Sequence, residues 1–409
     1  MRLLLIHQNF PGQFRQLVPF LLDQGHDLIG IGSHQRPIPT PIRLLRYAEP
    51  APEELVGQGG VRLWDEALKR ARQVALLCAD LAKEGWQPDR ILAHSGWGET
   101  LALRDVWPDV PVVLWPELWI SPEHGGHGPD PYLPASNFEH QLDQLGRNSL
   151  TRLAMHQASA WVLPTQYQAE GFPADLRCDP RMQVVHEGID TAMAHPDPNV
   201  QFEVRGIPMN RSNPTITFVN RNLERLRGFD TLMRALPAIQ AAHPTVRVLI
   251  VGDSGAGYRG EAGLRQLLLE ELAGRLDLDR IHFLGRIPYP TLLALLQASW
   301  VHVYLSYPYV LGWSMLEAMA CGCCVVGSAG RPVDEVIEHG VNGLLVPLDL
   351  PDQLAAAILK PLTNGRLRKR LGEAARQTAL SWDVGSTQPR LEQLIAAAVP
   401  PTAGQLRPR

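Results

Sequence analysis

The sequence predicts an α/β fold built from two doubly wound, Rossmann-like domains. Short, nearly continuous apolar runs alternate with helical patterns, which is typical of parallel sheets covered on both faces. The same alternation occurs in both halves of the chain. The length of 409 residues is comfortable for two domains of about 200 residues each.

The apolar runs give the predicted strands. In the first half they are residues 2–6, 27–32, 90–94, 110–115, 160–164 and 183–188. In the second half they are residues 215–220, 246–252, 281–285, 301–305, 324–328 and 343–348. Residues 192–214 are rich in Pro, Asn and other polar residues, which predicts a linker. The predicted domains are 1–205 and 206–385, with 386–409 a C-terminal helix and tail returning toward the first domain. Ligands of such folds collect at the carboxyl ends of strands, so we expect the site in the cleft between the two sheets.

Composition narrows the function classes. A net charge of −4 and a pI of about 6.4 argue against a nucleic-acid partner, which would require a basic face. The five cysteines include no C-x-x-C pair, and those at 321, 323 and 324 are expected to be small buried hydrophobes. We expect a cytoplasmic protein. No apolar stretch approaches the ~20 residues of a membrane span, so membrane contact is at most peripheral. The best candidate for peripheral membrane contact is the segment 366–376. The alternative is that this segment is a solvated helix face.

The segment 301–330 is the most informative part of the chain. It predicts a buried strand, a turn rich in Tyr, Pro and Gly, a helix from about Ser314, and a second short strand. A helix amino terminus facing such a turn is an anion site, because its free amides and its dipole both favour phosphate. Glu317, one turn into that helix, could accept hydrogen bonds from a ribose diol. Ser314 and Glu317 also have the S-x-x-E spacing of a capping box, which would give the glutamate a structural role.

Three further signals have structural explanations. Residues 255–260 satisfy G-x-G-x-x-G, but they begin three residues after the strand ends, and no acidic residue follows the next strand. Asp277 and Asp279 match D-x-D but occupy a predicted turn before a strand. His124 and His127 have a spacing that could hold a metal, without neighbouring partners. They belong to an irregular segment, residues 121–134, that we expect to be a mobile loop over the cleft.

The order and spacing of several motifs resemble those of bacterial family 4 glycosyltransferases. In the second half the motifs are FVNRNLERLRGFDTLMRALP (218–237), VLIVGDSG (248–255), IHFLGRIPYPTLLALLQAS (281–299) and the 301–330 segment. In the first half they are HQNFPGQF (7–14), HSGWGE (94–99) and HEGID (186–190). The resemblance implies the GT-B architecture, in which two doubly wound domains face a central cleft.

The resemblance assigns donor-binding residues. Arg221 and Arg227 match the basic pair that grips the donor diphosphate, with Arg227 standing where lysine is usual; as catalytic residues they would stabilise the negative charge of the leaving diphosphate. Glu317 matches the second glutamate of the family's E-x7-E motif, which binds the ribose. The first glutamate of that motif falls at Tyr309, which is a departure. The backbone amides of three following residues could still meet the sugar and phosphate: Val310, Leu311 and Gly312.

Further residues that match the family lie at the ends of other strands and in the first loop. Glu117 stands where many relatives end a strand with a histidine that touches the sugar. It could orient a sugar hydroxyl or stabilise a developing oxocarbenium ion, or it could simply end a strand in water. Gly12 matches the glycine loop that phosphate and acceptor approach. Asp253 and Arg286, each after a strand, would lie near the base.

The resemblance implies a retaining, metal-independent transfer of a sugar from a nucleotide-diphosphate sugar to an acceptor hydroxyl of a glycan, lipid or protein. No cofactor is implied. The alternatives are a GT-B protein that binds nucleotide sugars with little or no turnover, and a GT-B nucleotide-sugar epimerase or phosphorylase. A phosphorylase would need a pyridoxal-phosphate lysine, which this lysine-poor chain does not supply near the cleft.

Overall fold

The computed structural model describes residues 1–34, 42–121, 124, 138–204, 206–255 and 263–401. The chain forms two compact units. Unit 1 comprises Met1–Gly188 and Val384–Arg409, and unit 2 comprises Ile189–Asp383. Unit 2 thus begins earlier than the predicted boundary at residue 206. The reason is burial: Ile189, Ala194 and Val204 lie in the apolar core of unit 2.

Unit 1 is built on a seven-stranded parallel sheet in the order β3-β2-β1-β4-β5-β6-β7. The strands are β1 (Arg2–Ile6), β2 (Asp27–Gly32), β3 (Arg43–Arg46), β4 (Arg90–His94), β5 (Val112–Trp115), β6 (Ala160–Leu163) and β7 (Met182–Val184). The helices are α1 (Leu17–Asp23), α2 (Gly59–Lys83), α3 (Leu103–Val106), α4 (Phe138–Gln157), α5 (Gln166–Glu170) and α6 (Ala174–Arg177), with α13 (Val384–Ala397) added from the carboxyl end of the chain.

The two faces of this sheet carry separate apolar clusters, as a parallel sheet covered on both sides requires. Helix α13 completes one of them, because Leu391, Ile395 and Ala398 are buried beside residues of β1 and β5. A contact of 2.9 Å between His26 Nε2 and Glu392 Oε1 ties the helix to the end of α1 and the start of β2.

Unit 2 repeats the plan with a six-stranded parallel sheet in the order β12-β11-β10-β13-β14-β15. The strands are β10 (Thr215–Asn222), β11 (Arg247–Asp253), β12 (Ile281–Gly285), β13 (Val301–Tyr304), β14 (Cys324–Ser328) and β15 (Leu344–Val346). The helices are α7 (Phe229–Ala242), α8 (Leu264–Glu271), α9 (Tyr289–Ala298), α10 (Trp313–Ala320), α11 (Pro351–Thr363) and α12 (Gly365–Leu380).

The predicted strands are all present, with their ends shifted by a few residues, and two elements were missed. One is β3, a short edge strand whose residues are half-buried or exposed. The other is an antiparallel hairpin, β8 (Gln201–Val204) and β9 (Ile207–Asn210), inside the predicted linker. The linker prediction was wrong here because Phe202, Val204 and Met209 pack into the core of unit 2.

Several smaller predictions can be compared with the structure. Cys321, Cys323 and Cys324 are buried, which confirms their role as small core residues. Asp277 accepts a hydrogen bond from the amide of Asp279 in a turn, as expected of ordinary turn carboxylates. His124 stacks on Tyr167 with ring centroids 4.9 Å apart. His127, residues 122–123 and 125–134 of the predicted mobile loop, and residues 256–260 of the glycine motif lie outside the described residues. Across the described ranges, no helix is both long enough and apolar enough to cross a membrane.

Candidate functional site

Each sheet has a switch point, where successive strands change direction across the sheet and ligands of this fold class bind. In unit 2 the switch point lies between β10 and β13. The chain leaving β10 enters a short 3-10 helix, Arg225–Arg227, and turns into α7 at Gly228, whose φ is 64°. A Cβ at residue 228 would lie 2.5 Å from the Cβ of Leu305. Glycine is therefore required for the turn that places Arg227 beside the end of β13.

The side chain of Arg227 is held by neutral groups. Its Nη1 donates to Ser306 Oγ at 2.8 Å and, at 3.4 Å, to the carbonyl oxygen of Val310. Its guanidinium lies 5.3 Å from the ring centre of Tyr309. Ser306 is fixed in turn by Ser328, whose Oγ accepts from the Ser306 amide at 3.1 Å. Because both of these hydrogen-bond acceptors are uncharged, they leave the positive charge of Arg227 uncompensated at the switch point.

Arg221, the other predicted phosphate ligand, lies in β10 near its carboxyl end and is exposed. The predicted base-side residues come together: Arg286 Nε lies 2.5 Å from Asp253 Oδ2, at the carboxyl ends of the neighbouring strands β12 and β11. Both side chains are partly exposed, with accessible fractions of 69% and 38%. The strand order therefore collects Arg221, Arg227, Asp253 and Arg286 at one edge of one sheet.

Helix α10 corrects the capping interpretation of Glu317. The helix begins at Trp313, and its N-cap is Gly312 rather than Ser314. Glu317 is therefore too far into the helix to bond the N-cap amide, and Ser314 Oγ instead donates to the Val219 carbonyl at 3.5 Å. Glu317 is 6% exposed, and its Oε1 accepts a hydrogen bond from the Tyr289 hydroxyl at 2.9 Å. The S-x-x-E spacing is coincidental, and the carboxylate needs another explanation.

The predicted amide donors before α10 are not equivalent. The amide of Gly312 donates to the Tyr304 hydroxyl at 2.6 Å, so this amide already has a partner within the protein. Leu311 is a buried core residue, and the Val310 carbonyl faces Arg227. The predicted set of amides for the sugar and phosphate therefore narrows to those of Val310 and Leu311.

In unit 1 the switch point lies between β1 and β4, and a histidine ends or follows each strand. His7 follows β1 and His94 ends β4, with ring centroids 4.8 Å apart. His7 Nδ1 accepts from the Asn9 amide at 2.9 Å, and its Nε2 bonds the side-chain oxygen of Gln13. Gly12 has φ 50°, and a Cβ there would lie within 2.4 Å of several His7 ring atoms. The glycine is thus needed for the loop to close over His7.

Glu117 follows β5 and has a left-handed backbone, with φ 58°, which is unusual for a residue other than glycine. Its carbonyl accepts from Gln168 Nε2 at 2.7 Å, and Gln168 is 1% exposed. Its carboxylate lies 3.4 Å from Gln13 Nε2 and 3.2 Å from His94 Nε2. A strained backbone conformation held by a buried partner is characteristic of functional sites, so the simple strand-end interpretation does not account for Glu117.

His94 is buried and lies among carboxylates. Burial opposes its protonation, but nearby carboxylates outweigh that effect and raise the pKa of its imidazole; they belong to Glu117, Glu99 and Glu187. Glu99 is 1% exposed, and burial raises the pKa of its carboxyl above the ordinary value. The Tyr47 hydroxyl donates to Glu99 Oε1 at 2.8 Å. The carboxyl edge of this sheet therefore holds two neighbouring groups that can form hydrogen bonds, the imidazole of His94 and the carboxylate of Glu117.

Sequence reasoning missed several of these residues as parts of a site. They are His7, His94, Glu99, Gln168, Tyr289 and Ser306. All of these except Gln168 occur in motifs quoted above, and position at a strand end could have identified the two histidines. Gln168 and Tyr289 are contributed by helices and act through hydrogen bonds that only the folded chain reveals. Within the described part of the chain, no three His, Cys, Asp or Glu side chains come together as metal ligands would.

Two family models match the chain in succession. The glycosyl transferase family 4 group model matches residues 24–194, and the glycosyl transferases group 1 model matches residues 200–378. Among curated proteins, an uncharacterized glycosyltransferase of Methanocaldococcus jannaschii is 32% identical over 162 residues, which is 39% of each chain. A D-inositol 3-phosphate glycosyltransferase of Mycobacterium marinum is 28% identical over 73% of this chain and 59% of its own length. The chain spans about half the length of the curated relatives it matches.

Solved structures share the fold over nearly the whole chain. Anabaena HepE in complex with UDP and glucose has a TM-score of 0.72 at 19% identity, covering 97% of this chain and 100% of HepE. Sucrose-phosphate synthase of Thermosynechococcus elongatus has a TM-score of 0.74 at 19% identity, covering 96% of this chain and 98% of the synthase. At this level of identity the likeness establishes the fold, two Rossmann-like domains of the GT-B class. The family 4 group model matches the first half of the chain and the group 1 model matches the second half, so the chain belongs to the family 4 glycosyltransferases.

Proposed function

We propose that this protein is a retaining glycosyltransferase that moves a sugar from a nucleotide-diphosphate sugar to an acceptor hydroxyl. One observation supports this most strongly. Arg227, whose hydrogen-bond acceptors are neutral, and Glu317, which has no capping role, both belong to segments at the switch point of the unit 2 sheet. A cation for phosphate and a carboxylate for a diol are the two charges that a nucleoside diphosphate requires.

The donor occupies this edge as follows in our proposal. The diphosphate lies against Arg221, Arg227 and the amino terminus of α10, where charge and helix dipole both favour an anion. The ribose hydroxyls donate to the Glu317 carboxylate, which the Tyr289 hydroxyl orients. The base lies toward the Asp253–Arg286 pair. HepE has been solved with UDP and with UDP-glucose, so UDP-glucose is the first donor to test.

The chemistry then needs no protein nucleophile. The bond between the anomeric carbon and the donor phosphate oxygen breaks, and the acceptor oxygen bonds the same carbon from the same face. The acceptor proton passes to a donor phosphate oxygen. Negative charge concentrates on the departing diphosphate, where fixed arginines stabilise it without reorganisation. This arrangement supports a reaction that does not depend on a divalent cation.

Glu117 has a separate role in the proposal. Its carboxylate, positioned by Gln168 and lying beside His94, accepts a hydrogen bond from a sugar hydroxyl. The raised pKa of the His94 imidazole favours a protonated ring beside the Glu117 carboxylate. The pair would then hold the carboxylate ionised and directed toward the ligand.

A second candidate function is nucleotide-sugar binding without turnover. Tyr309, at the position of the first motif glutamate, packs near Arg227 and removes one carboxylate that relatives use. An aromatic ring at this position cannot accept hydrogen bonds from the donor sugar as a carboxylate would, which is consistent with binding without turnover. Measurement of turnover distinguishes this function from the transferase.

The test has two steps. Thermal-shift measurements with UDP, GDP and ADP, and then with their sugars, identify the donor, because a ligand that binds only the folded state raises Tm by mass action. Release of the diphosphate from the selected donor is then followed with a panel of hydroxyl acceptors. We expect one nucleotide to stabilise the protein and release to require an acceptor. Stabilisation without any release would support the binding function, and the absence of stabilisation by every nucleotide would refute both.

A further inference from the structure

Unit 2 has a ligand-sized cavity at the edge of its sheet opposite the candidate donor site. Its volume is about 600 Å³, within the range of small-molecule sites. Residues preceding strands line one side: Arg211 before β10, Ser299 and Trp300 directly before β13, and Gly322 before β14. Helix α12 lines the other side. The donor-site residues come at or after the ends of strands, so this cavity belongs to the amino edge and is a separate place on the unit.

The cavity is lined by more positive than negative charge. The cations are Arg211, Arg368, Lys369 and Arg376, and the one lining carboxylate is Glu373. Glu373 is largely exposed and forms an i,i+4 ion pair with Lys369 at 3.8 Å, and exposed pairs of this kind are weak. Within the described residues, none of the three lining arginines pairs with a carboxylate. The protein as a whole has a net charge of −4, so this concentration of positive charge is local.

Two of these arginines are fixed by neutral groups. Arg376 donates to the carbonyls of Thr191, Ala194 and Ala320 at 2.8–3.2 Å. Arg368 donates to the Pro361 carbonyl at 2.8 Å. Its guanidinium lies 3.6 Å from the ring centre of Trp300. Fixed guanidiniums without counter-charges are pre-organised for an anion, since binding one costs little side-chain entropy.

The charge pattern of α12 is unfavourable without a ligand. The helix begins GRLRKR, with no acidic residue in its first turn, and its amino terminus at Gly365 also lines the cavity. Positive charge at a helix amino terminus opposes the helix dipole, whereas an anion there is stabilised. Burial, together with the charge of Arg211, lowers the pKa of Arg368. A bound anion would relieve both effects.

The backbone also comes close to the cavity. A Cβ at Gly372 would lie 2.3 Å from the Gly322 carbonyl oxygen, so α12 packs directly against the turn before β14. Both glycines line the cavity. Trp300 supplies an apolar ring on the side of the cavity formed by residues that precede strands. The combination of cations, a helix amino terminus and an aromatic ring matches a phosphorylated molecule with an apolar or ring-shaped part.

We propose that this cavity is a second anion site, which binds a phosphate or diphosphate group through Arg211, Arg368, Lys369 and Arg376. The group comes either from a free phosphorylated metabolite or from a lipid headgroup. The proposal does not depend on the donor site or on the transferase activity.

The experiment uses the full chain with Arg227→Ala, which we expect to weaken pyrophosphate binding at the candidate donor site. Calorimetric titration with inorganic pyrophosphate at fixed ionic strength measures the second site. We expect pyrophosphate binding to weaken at least about tenfold in Arg211→Glu/Lys369→Glu, because charge-assisted hydrogen bonds to phosphate are lost and the new carboxylates repel the anion. Arg366→Glu is the control: it reverses one positive charge in the first turn of α12 without lining the cavity, half of the charge change in the double variant, and affinity should change by less than about twofold.

A second readout needs no ligand. Arg211→Gln should raise the melting temperature without pyrophosphate, because it removes like-charge repulsion, and should reduce the stabilisation that pyrophosphate gives. Co-sedimentation with phosphatidylcholine vesicles, with and without phosphatidylglycerol, separates the two sources. Vesicle binding with the same dependence on Arg211 and Lys369 assigns the site to a lipid headgroup, and pyrophosphate binding alone assigns it to a free metabolite. Equal losses in the double variant and in Arg366→Glu, or no binding of either probe, would overturn the proposal.

Discussion

Substitution of Glu317 by glutamine tests the proposed ribose contact with little disturbance of the fold. The carboxylate is 6% exposed and accepts a 2.9 Å hydrogen bond from the Tyr289 hydroxyl. A glutamine can accept that bond through its single amide oxygen, so we expect the free energy of unfolding to change by less than about 0.5 kcal/mol. It cannot also accept charged hydrogen bonds from a diol. Each such charged bond contributes about 1.5–3 kcal/mol, and the neutral hydrogen bonds that the amide can still form with the diol replace only part of this free energy.

We therefore expect the affinity for the selected nucleoside diphosphate to fall by about 1–3 kcal/mol, or roughly 5-fold to 150-fold. Calorimetric titration of the diphosphate into wild type and Glu317→Gln, beside their melting curves, measures both quantities. Ser314→Ala is the companion variant. Loss of a capping hydroxyl would cost about 0.5–2 kcal/mol. Because the N-cap is Gly312, we expect Ser314→Ala to have an unfolding free energy within about 0.5 kcal/mol of wild type. Wild-type nucleotide affinity in Glu317→Gln would refute the ribose assignment.

Four further predictions concern other parts of the protein. Arg227→Ala and Arg221→Ala should each weaken diphosphate binding by about tenfold or more, and unchanged affinity in both titrations would remove the phosphate site. Turnover should persist in excess EDTA, whereas loss that Mn²⁺ or Mg²⁺ restores would refute metal independence. Gln168→Ala should lower kcat by about tenfold with little change in nucleotide affinity, because it releases the backbone of Glu117; equal effects on both would indicate general unfolding. His302 is buried with its pKa lowered to about 3, so its contribution to stability is full above pH ~6.5 and declines as the pH falls toward 3. His302→Asn should therefore lose about 2 kcal/mol less than wild type between pH 7 and pH 5 in denaturant titrations, and parallel curves would contradict this.

The sequence predicted the two sheets well because their strands are buried on both faces and appear as continuous apolar runs. It failed at β3 and at the β8–β9 hairpin, where half-exposed strands interrupted by Pro, Asn and Arg carry no such run. The capping interpretation of Glu317 failed for a related reason. A four-residue spacing does not determine where a helix begins, and here the bond between the Gly312 amide and Tyr304 places the start before Ser314.

Site residues divide along similar lines. Arg227 could be located from sequence because the motif around it, with Gly228 directly after it, resembles the family's phosphate-binding motif. The left-handed backbone of Glu117 could not, because it depends on Gln168, which is distant along the chain. The roles of His94 and Glu99 depend on burial among other charges. That property belongs to the folded unit and is not visible in local spacing.

The order of elements along the chain has a consequence for biosynthesis. Unit 2 is a continuous insertion, Ile189–Asp383, within unit 1, and α13 follows it. During translation, every strand and helix of unit 2 leaves the ribosome before Leu391 and Ile395, which complete an apolar cluster on the unit 1 sheet. Unit 2 can therefore fold while unit 1 still exposes part of that cluster. Until α13 has been synthesised, part of this apolar cluster stays uncovered in the nascent chain and can bind chaperones or aggregate with other chains. The synthesis of the carboxyl-terminal helix therefore sets the time at which this apolar surface of unit 1 is covered.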